Sequence, residues 1–248
     1  AASDVYKRQL ISKYTSGAGF VVQYQSGNLR MVLGVSGSDA VYSFSWTPVV
    51  NTWYHIAITR SGTSGRAFAN GTQIGSTTTF TTSNTSASTT LQIGLTHTTS
   101  EYTRGYASNV RLTKGGALYT SNFTPSTTPL TTTVSAGTVS LLTCQSNRFL
   151  DNSTNAFAIT ANGSPSVQAF SPFAPTAAYS AASVGGSGYF DGTGDYLASA
   201  TDAGLVIGSG EFAIEWWEYR TTLRNVDTAI VLGNGTYGAL LAYGDSSK

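Results

Sequence analysis

Short runs of alternating apolar and polar residues recur along the whole chain, and none of them keeps a helical period. Between residues 19 and 33, apolar-rich segments flank Ser26-Gly27-Asn28, which predicts a β-hairpin. Residues 41–46 alternate and read as a half-buried strand that Pro48 ends. Residues 53–60 form the next strand, closed by a Ser61-Gly62 turn. Strands at 66–69 and 72–74 flank Asn70-Gly71, a pair that tolerates positive φ at both turn positions. Further strands are predicted at 91–94 and 106–112, and the Ser/Thr-rich stretch 76–90 reads as a long loop or edge.

In the second half, residues 125–133 read as a linker and 139–144 as a buried strand. Residues 157–160 are another strand, closed by Asn162-Gly163, and 165–175 a Pro/Ala-rich crossing loop. Residues 188–197 read as a strand, a tight turn and a strand start. Residues 212–219 alternate, with Phe212, Ile214 and Trp216 on one face. Strand patterns at 229–232 and 239–243 complete the series. Many short strands without a helical period predict an all-β sandwich.

Composition narrows this further. Charged residues make up 10% of the chain, against roughly 25% in ordinary soluble domains, so charge does not drive disorder. Ser and Thr number 69, beside 27 Gly and 6 Pro, and they favour strands and turns over helices. No apolar run approaches the roughly 18 residues of a membrane-spanning helix. The single cysteine, Cys144, excludes an intramolecular disulfide and a Cys-based zinc site.

The net charge of +1 hides an asymmetry. Up to Ser135 there are 9 Lys/Arg and 3 Asp/Glu, and from Ala136 onward 4 and 9. The basic residues are scattered singly, which argues against nucleic acid as a partner. The imbalance suggests two units of different origin that attract each other.

Met31 is the only methionine, and Asp4-Val5-Tyr6-Lys7-Arg8-Gln9 resembles a translated sequencing-transposon adapter. On that reading residues 1–9 carry no fold information.

Several stretches, in this order, resemble the laminin-G-like, concanavalin A-like jelly rolls of bacteriophage and environmental surface proteins. They are residues 53–62, 68–75, 91–94, 105–115 and 119–125. Residues 189–197 and 212–217 look like the opening strands of a second copy. An offset of 219 places Gly19 on Gly238, Val22 on Leu241 and Tyr24 on Tyr243. The resemblance implies a concanavalin A-like jelly-roll β-sandwich with antiparallel sheets. Residues 10–135 would be a repeat lacking its opening strands, and 136–248 the opening part of a second repeat. The whole would be a piece of a tandem array. The strands of 188–243 are expected to pair with 10–135 in one composite sandwich, leaving 136–187 as a peripheral layer. Two departures stand out. Ala107-Ser108-Asn109 replaces the acidic residues many relatives carry there, which weakens a calcium site. Glu218 stands where an apolar residue is usual, so that strand end is expected to face solvent.

The candidate chemistry is sparse. A glycoside hydrolase needs two carboxylates about 5–10 Å apart. Asp39 and Glu101 belong to separate loops. Glu211 and Glu215 share a strand face about 13 Å apart, and Glu218 lies on the other. That spacing makes a poor acid/base pair. His55 is expected to pack or hydrogen-bond at a sheet surface, and His97 lies in a Thr-rich loop. No nucleophile elbow, phosphate loop or dinucleotide fingerprint occurs. Asp191 and Asp195, in Asp191-Gly192-Thr193-Gly194-Asp195, are weak candidate calcium ligands by their oxygens, without the Glu and spacing of an EF-hand, and a Gly-permitted turn between strands is the preferred reading of the stretch. Tyr and Trp stack on sugar rings, and Trp46, Tyr102 and Tyr106 fall near strand ends or loops. These three are the candidate ligand-binding residues, while Trp53 and Trp217 are assigned to the core.

These readings, with the resemblance, imply a non-enzymatic recognition or adhesion module. It would belong to a phage tail-fibre-like structural protein or a bacterial surface protein, on a virion or at the cell surface. Its partners would be a cell-surface glycan or other surface ligand and neighbouring repeats. The alternatives are an architectural spacer without a small ligand and, third, a polysaccharide hydrolase.

Overall fold

The computed structural model describes residues 7–15, 17–81, 87, 89–95, 102–146, 148–173, 186–199 and 201–222. Fifteen strands are assigned among them: β1 (Lys7–Thr15), β2 (Ala18–Gln25), β3 (Asn28–Val35), β4 (Ser38–Ser45), β5 (Trp53–Ser61), β6 (Ser64–Ala69), β7 (Thr72–Thr79) and β8 (Gln92–Ile93). They continue with β9 (Arg104–Lys114), β10 (Thr138–Thr143), β11 (Ile159–Asn162), β12 (Ser166–Gln168), β13 (Ser187–Asp191), β14 (Tyr196–Ser199) and β15 (Phe212–Arg220). One 3₁₀ turn, Ala203–Leu205, is the helical element among the described residues.

The strands form two sheets. The first has the order β11-β14-β8-β1-β2-β3-β4, the second β12-β13-β9-β15-β5-β6-β7, and β10 also pairs with β9. Every ladder is antiparallel. Local sequence explains the hairpins. Ser26 and Gly27 have φ of 49° and 74°, and Asn70 and Gly71 of 49° and 77°. Paired positive φ values are what a two-residue hairpin turn matching the strand twist requires.

The core lies between the two sheets. Phe20, Met31, Leu33 and Phe44 from one side meet Ile56, Ile58, Phe212, Ile214 and Trp216 from the other. β15 sits between β5 and β9. Ile214 faces Ile58 on one side and Leu112 on the other, and Trp216 faces Ile56. β13 and β14 likewise pair with β9 and β8. Strands from both halves of the chain therefore build each sheet. The strand patterns at 229–232 and 239–243, with the positions registered at 238–243, lie outside the described residues.

The β1–β2 ladder begins with Lys7, Arg8 and Gln9 opposite Gln25, Tyr24 and Gln23. Pairing of this kind needs only backbone donors and acceptors in register. Three expectations need correction. Residues 136–187 are not merely peripheral. β10 lies on β9, and its Leu141, with Cys144, enters the main core. Residues 166–168, expected in a loop, form edge strand β12.

The third concerns 125–133, which is not a free linker but part of a strap over the outer face of the second sheet. Asn109 Oδ1 accepts from the Leu130 amide at 2.8 Å, and Arg111 Nη1 donates to Thr131 O at 2.8 Å. Leu130 is buried with Val139 and Leu142. The Asn70-Gly71 turn anchors the strap from the other side. Phe123 N donates to Gly71 O at 2.9 Å, and a Cβ on Gly71 would run into Phe123 O.

Candidate functional site

Alternation along β5, β9, β13 and β15 sends Trp53, Tyr106, Tyr189 and Tyr219 to the outer face of the second sheet. Their inward neighbours Ala107, Phe190 and Trp216 are in the core. The register puts the four on one rung. Tyr219 is opposite Trp53 and also opposite Tyr106, and Tyr106 is opposite Tyr189. Successive ring centroids are 5.5, 5.8 and 4.9 Å apart. Phe170, from the loop after β12, packs on Trp53, Tyr219 and Tyr106 at 5.3, 4.7 and 4.9 Å. It remains 42% exposed, and the four rings of the row are half-buried. Burial pushes the Tyr106 phenol above its ordinary pKa, and the nearby Tyr189 and Tyr219 phenols add to the shift.

Further along the same face lies a buried ionic cluster. Glu215, 0% exposed, accepts from Arg111 Nε at 2.7 Å, from His55 Nε2 at 3.1 Å and from the Tyr119 hydroxyl at 2.6 Å. Burial opposes the charge of Glu215, but the His55 hydrogen bond, the Arg111 charge and the Tyr119 hydroxyl together hold its carboxyl below the usual range. The same carboxylate and burial push the Tyr119 phenol well above its ordinary value, burial contributing most. Tyr119 stacks on Phe123 at 3.6 Å, and both rings meet the His55 ring edge-on. The strap thus seals this cluster from water. An acid flanked by apolar residues in an alternating strand is its only trace in the sequence. Its partners lie 96 to 160 residues away along the chain.

The other acids are similarly engaged. Glu218 does not face solvent. It is 3% exposed on the inner side of β15, where Arg220 Nε donates to it at 2.8 Å and Trp216 Nε1 at 3.0 Å. An arginine two residues on, on the same strand face, neutralises a glutamate where an apolar residue was expected. The Arg220 guanidinium also lies over the Tyr24 ring at 5.1 Å. Glu211 accepts from Ser61 Oγ and Gly62 N, and Asp39 from the Tyr14 hydroxyl. Asp151 accepts from the amides of Leu142, Ser153 and Phe157. Asp195 accepts from Ser164 N at 2.5 Å and Asp191 N at 3.1 Å, and Asp191 from Thr193 N at 2.6 Å. Asp195 therefore ties its turn to the β11–β12 connection, which crosses from one sheet to the other. No group of three or more potential metal-ligating side chains occurs among the described residues.

The three candidate ligand-binding residues are not one constellation. Trp46 is 9% exposed inside the core, edge-on to Tyr24 at 6.0 Å and Tyr54 at 5.3 Å. Tyr102 is half-buried in a bridge to Leu95 before β9, and Tyr106 belongs to the outer row. Trp53 and Trp217, assigned to the core by alternation, lie half-buried on the outer face. Trp217 packs against His55 and Phe173. Alternation identifies two faces, but not which one a sheet turns inward. His97 and Glu101 lie outside the described residues.

This two-sheet architecture has a counterpart among known families. Residues 1–118 match the family described as Concanavalin A-like lectin/glucanases superfamily, Laminin_G_3. The fold is concanavalin A-like. The match spans β1 to β9, while β10 to β15 complete the same two concanavalin A-like sheets from beyond it. No curated protein and no solved structure matches the chain. Among the described residues no helix is long and apolar enough to cross a membrane.

Proposed function

We propose that this chain is a non-enzymatic recognition module that binds glycan at a virion or cell surface, alongside neighbouring repeats. The observation that carries the reading is the half-buried aromatic patch around Tyr106 on an outer sheet face of a concanavalin A-like domain. Aromatic rings with polar edges suit the apolar faces and hydroxyl rims of sugars. The disposition of the acids favours binding over hydrolysis. Glu215 and Glu218 lie in buried ion pairs on opposite sides of one strand. A general acid and a nucleophile must instead reach a common substrate bond.

The test is binding of the purified chain to a broad glycan array, paired with a reducing-end assay on the glycans it retains. Retention without release of reducing ends is the expected result. Release of reducing ends would make the protein a hydrolase, and no retained glycan would leave an architectural spacer.

A further inference from the structure

We propose that the row Trp53, Tyr219, Tyr106 and Tyr189, walled by Phe170, is a binding surface for an uncharged linear oligosaccharide lying across the strands. This rests on the glycan reading above and names the site and ligand class. Four adjacent strands each contribute one ring to the same rung. With strands about 4.8 Å apart, the row is on the order of 14 Å long, the length of several sugar rings rather than one. Phe170 packs on three of the rings, Trp53, Tyr106 and Tyr219.

The polar groups favour a sugar over an apolar peptide. None of the Tyr106, Tyr189 and Tyr219 hydroxyls has a hydrogen-bond partner among the described residues. Three unpaired donor-acceptors at the edges of a ring platform match hydroxyl-bearing rings. One rung further, alternation places Arg104 on the same face, opposite Asp191. One cation and one anion side by side give the rim hydrogen-bonding capacity with no net charge, which fits neutral sugars rather than acidic ones.

The experiment measures affinity, by calorimetry, for cello-, xylo- and manno-oligosaccharides of increasing length. Binding to at least one series is expected to strengthen with length and level off once the chain spans the row. Tyr189→Ala should weaken it about tenfold. The triple variant Tyr106→Phe/Tyr189→Phe/Tyr219→Phe keeps every ring, removes only unpaired hydroxyls, and should weaken it similarly with an unchanged melting temperature. Val41→Ala, exposed on β4 of the other sheet, should bind as the parent does. Length-independent affinity, or a triple variant that binds like the parent, overturns the proposal. A parent chain that binds array glycans but none of these linear series also overturns it and leaves the glycan reading standing. A parent chain that binds no glycan at all overturns both.

Discussion

Arg111 and Glu215 face each other from adjacent strands, 104 residues apart in sequence, with Nε 2.7 Å from Oε1. Both are buried, and Glu215 has no exposure at all. A buried pair of this kind adds little net stability, yet it is costly to break on one side only.

Glu215→Gln is therefore expected to destabilise the fold by about 3–5 kcal/mol, because it strands the Arg111 charge. Replacing both members, as Arg111→Met/Glu215→Leu, should cost distinctly less than the single change. Urea unfolding of the three proteins measures this. A single variant as stable as the parent would mean the pair does not hold the strap.

The pH dependence follows from the same cluster. The folded carboxyl of Glu215 is depressed below its ordinary 4.5, so its contribution is complete above that value and is lost as pH falls below it. The Tyr119 phenol is raised above its ordinary 10.0, so its contribution is complete below pH 10 and is lost as pH rises beyond it. Melting temperature against pH should fall at both ends. Glu215→Gln should flatten the acid limb and Tyr119→Phe the alkaline one.

Gly71 and Gly27 separate backbone strain from collision. Both have positive φ, 77° and 74°. A Cβ on Gly27 meets open space, whereas one on Gly71 meets Phe123 O. Gly27→Ala should cost about 1 kcal/mol from conformation alone. Gly71→Ala should cost more and raise hydrogen exchange in the strap around Phe123 selectively.

Trp46 and Tyr106 should respond oppositely to substitution. Trp46→Ala empties a core position and is expected to cost about 3–5 kcal/mol. Tyr106→Phe removes a hydroxyl without a hydrogen-bond partner among the described residues and should leave stability within about 0.5 kcal/mol of the parent. Chemical denaturation compares them directly.

Asp195→Ala leaves the amides of Ser164 and Asp191 without their acceptor and should cost about 1–3 kcal/mol. The loss is expected to be equal with calcium and with a chelator present. Parent stability that rises with calcium, and fails to do so in the variant, would instead make Asp195 a metal ligand.

The sequence by itself determined the strands, the hairpin turns and the sandwich class, because these depend on neighbours in the chain. The alternation of 212–219 is visible in the residues alone, and so is the capacity of Asn70-Gly71 for positive φ. The tertiary structure decided what lies on either side of each strand. It turned Trp46 inward and Trp53 outward, gave Glu218 a buried arginine, and laid 125–133 across the sheet as a strap. It also gathered Trp53, Tyr106, Tyr189 and Tyr219 onto one rung. The physical reason is that a period of two assigns side chains to two faces but leaves open which face is buried. That choice, and the registers that align four distant strands, are set by contacts between residues far apart in the chain.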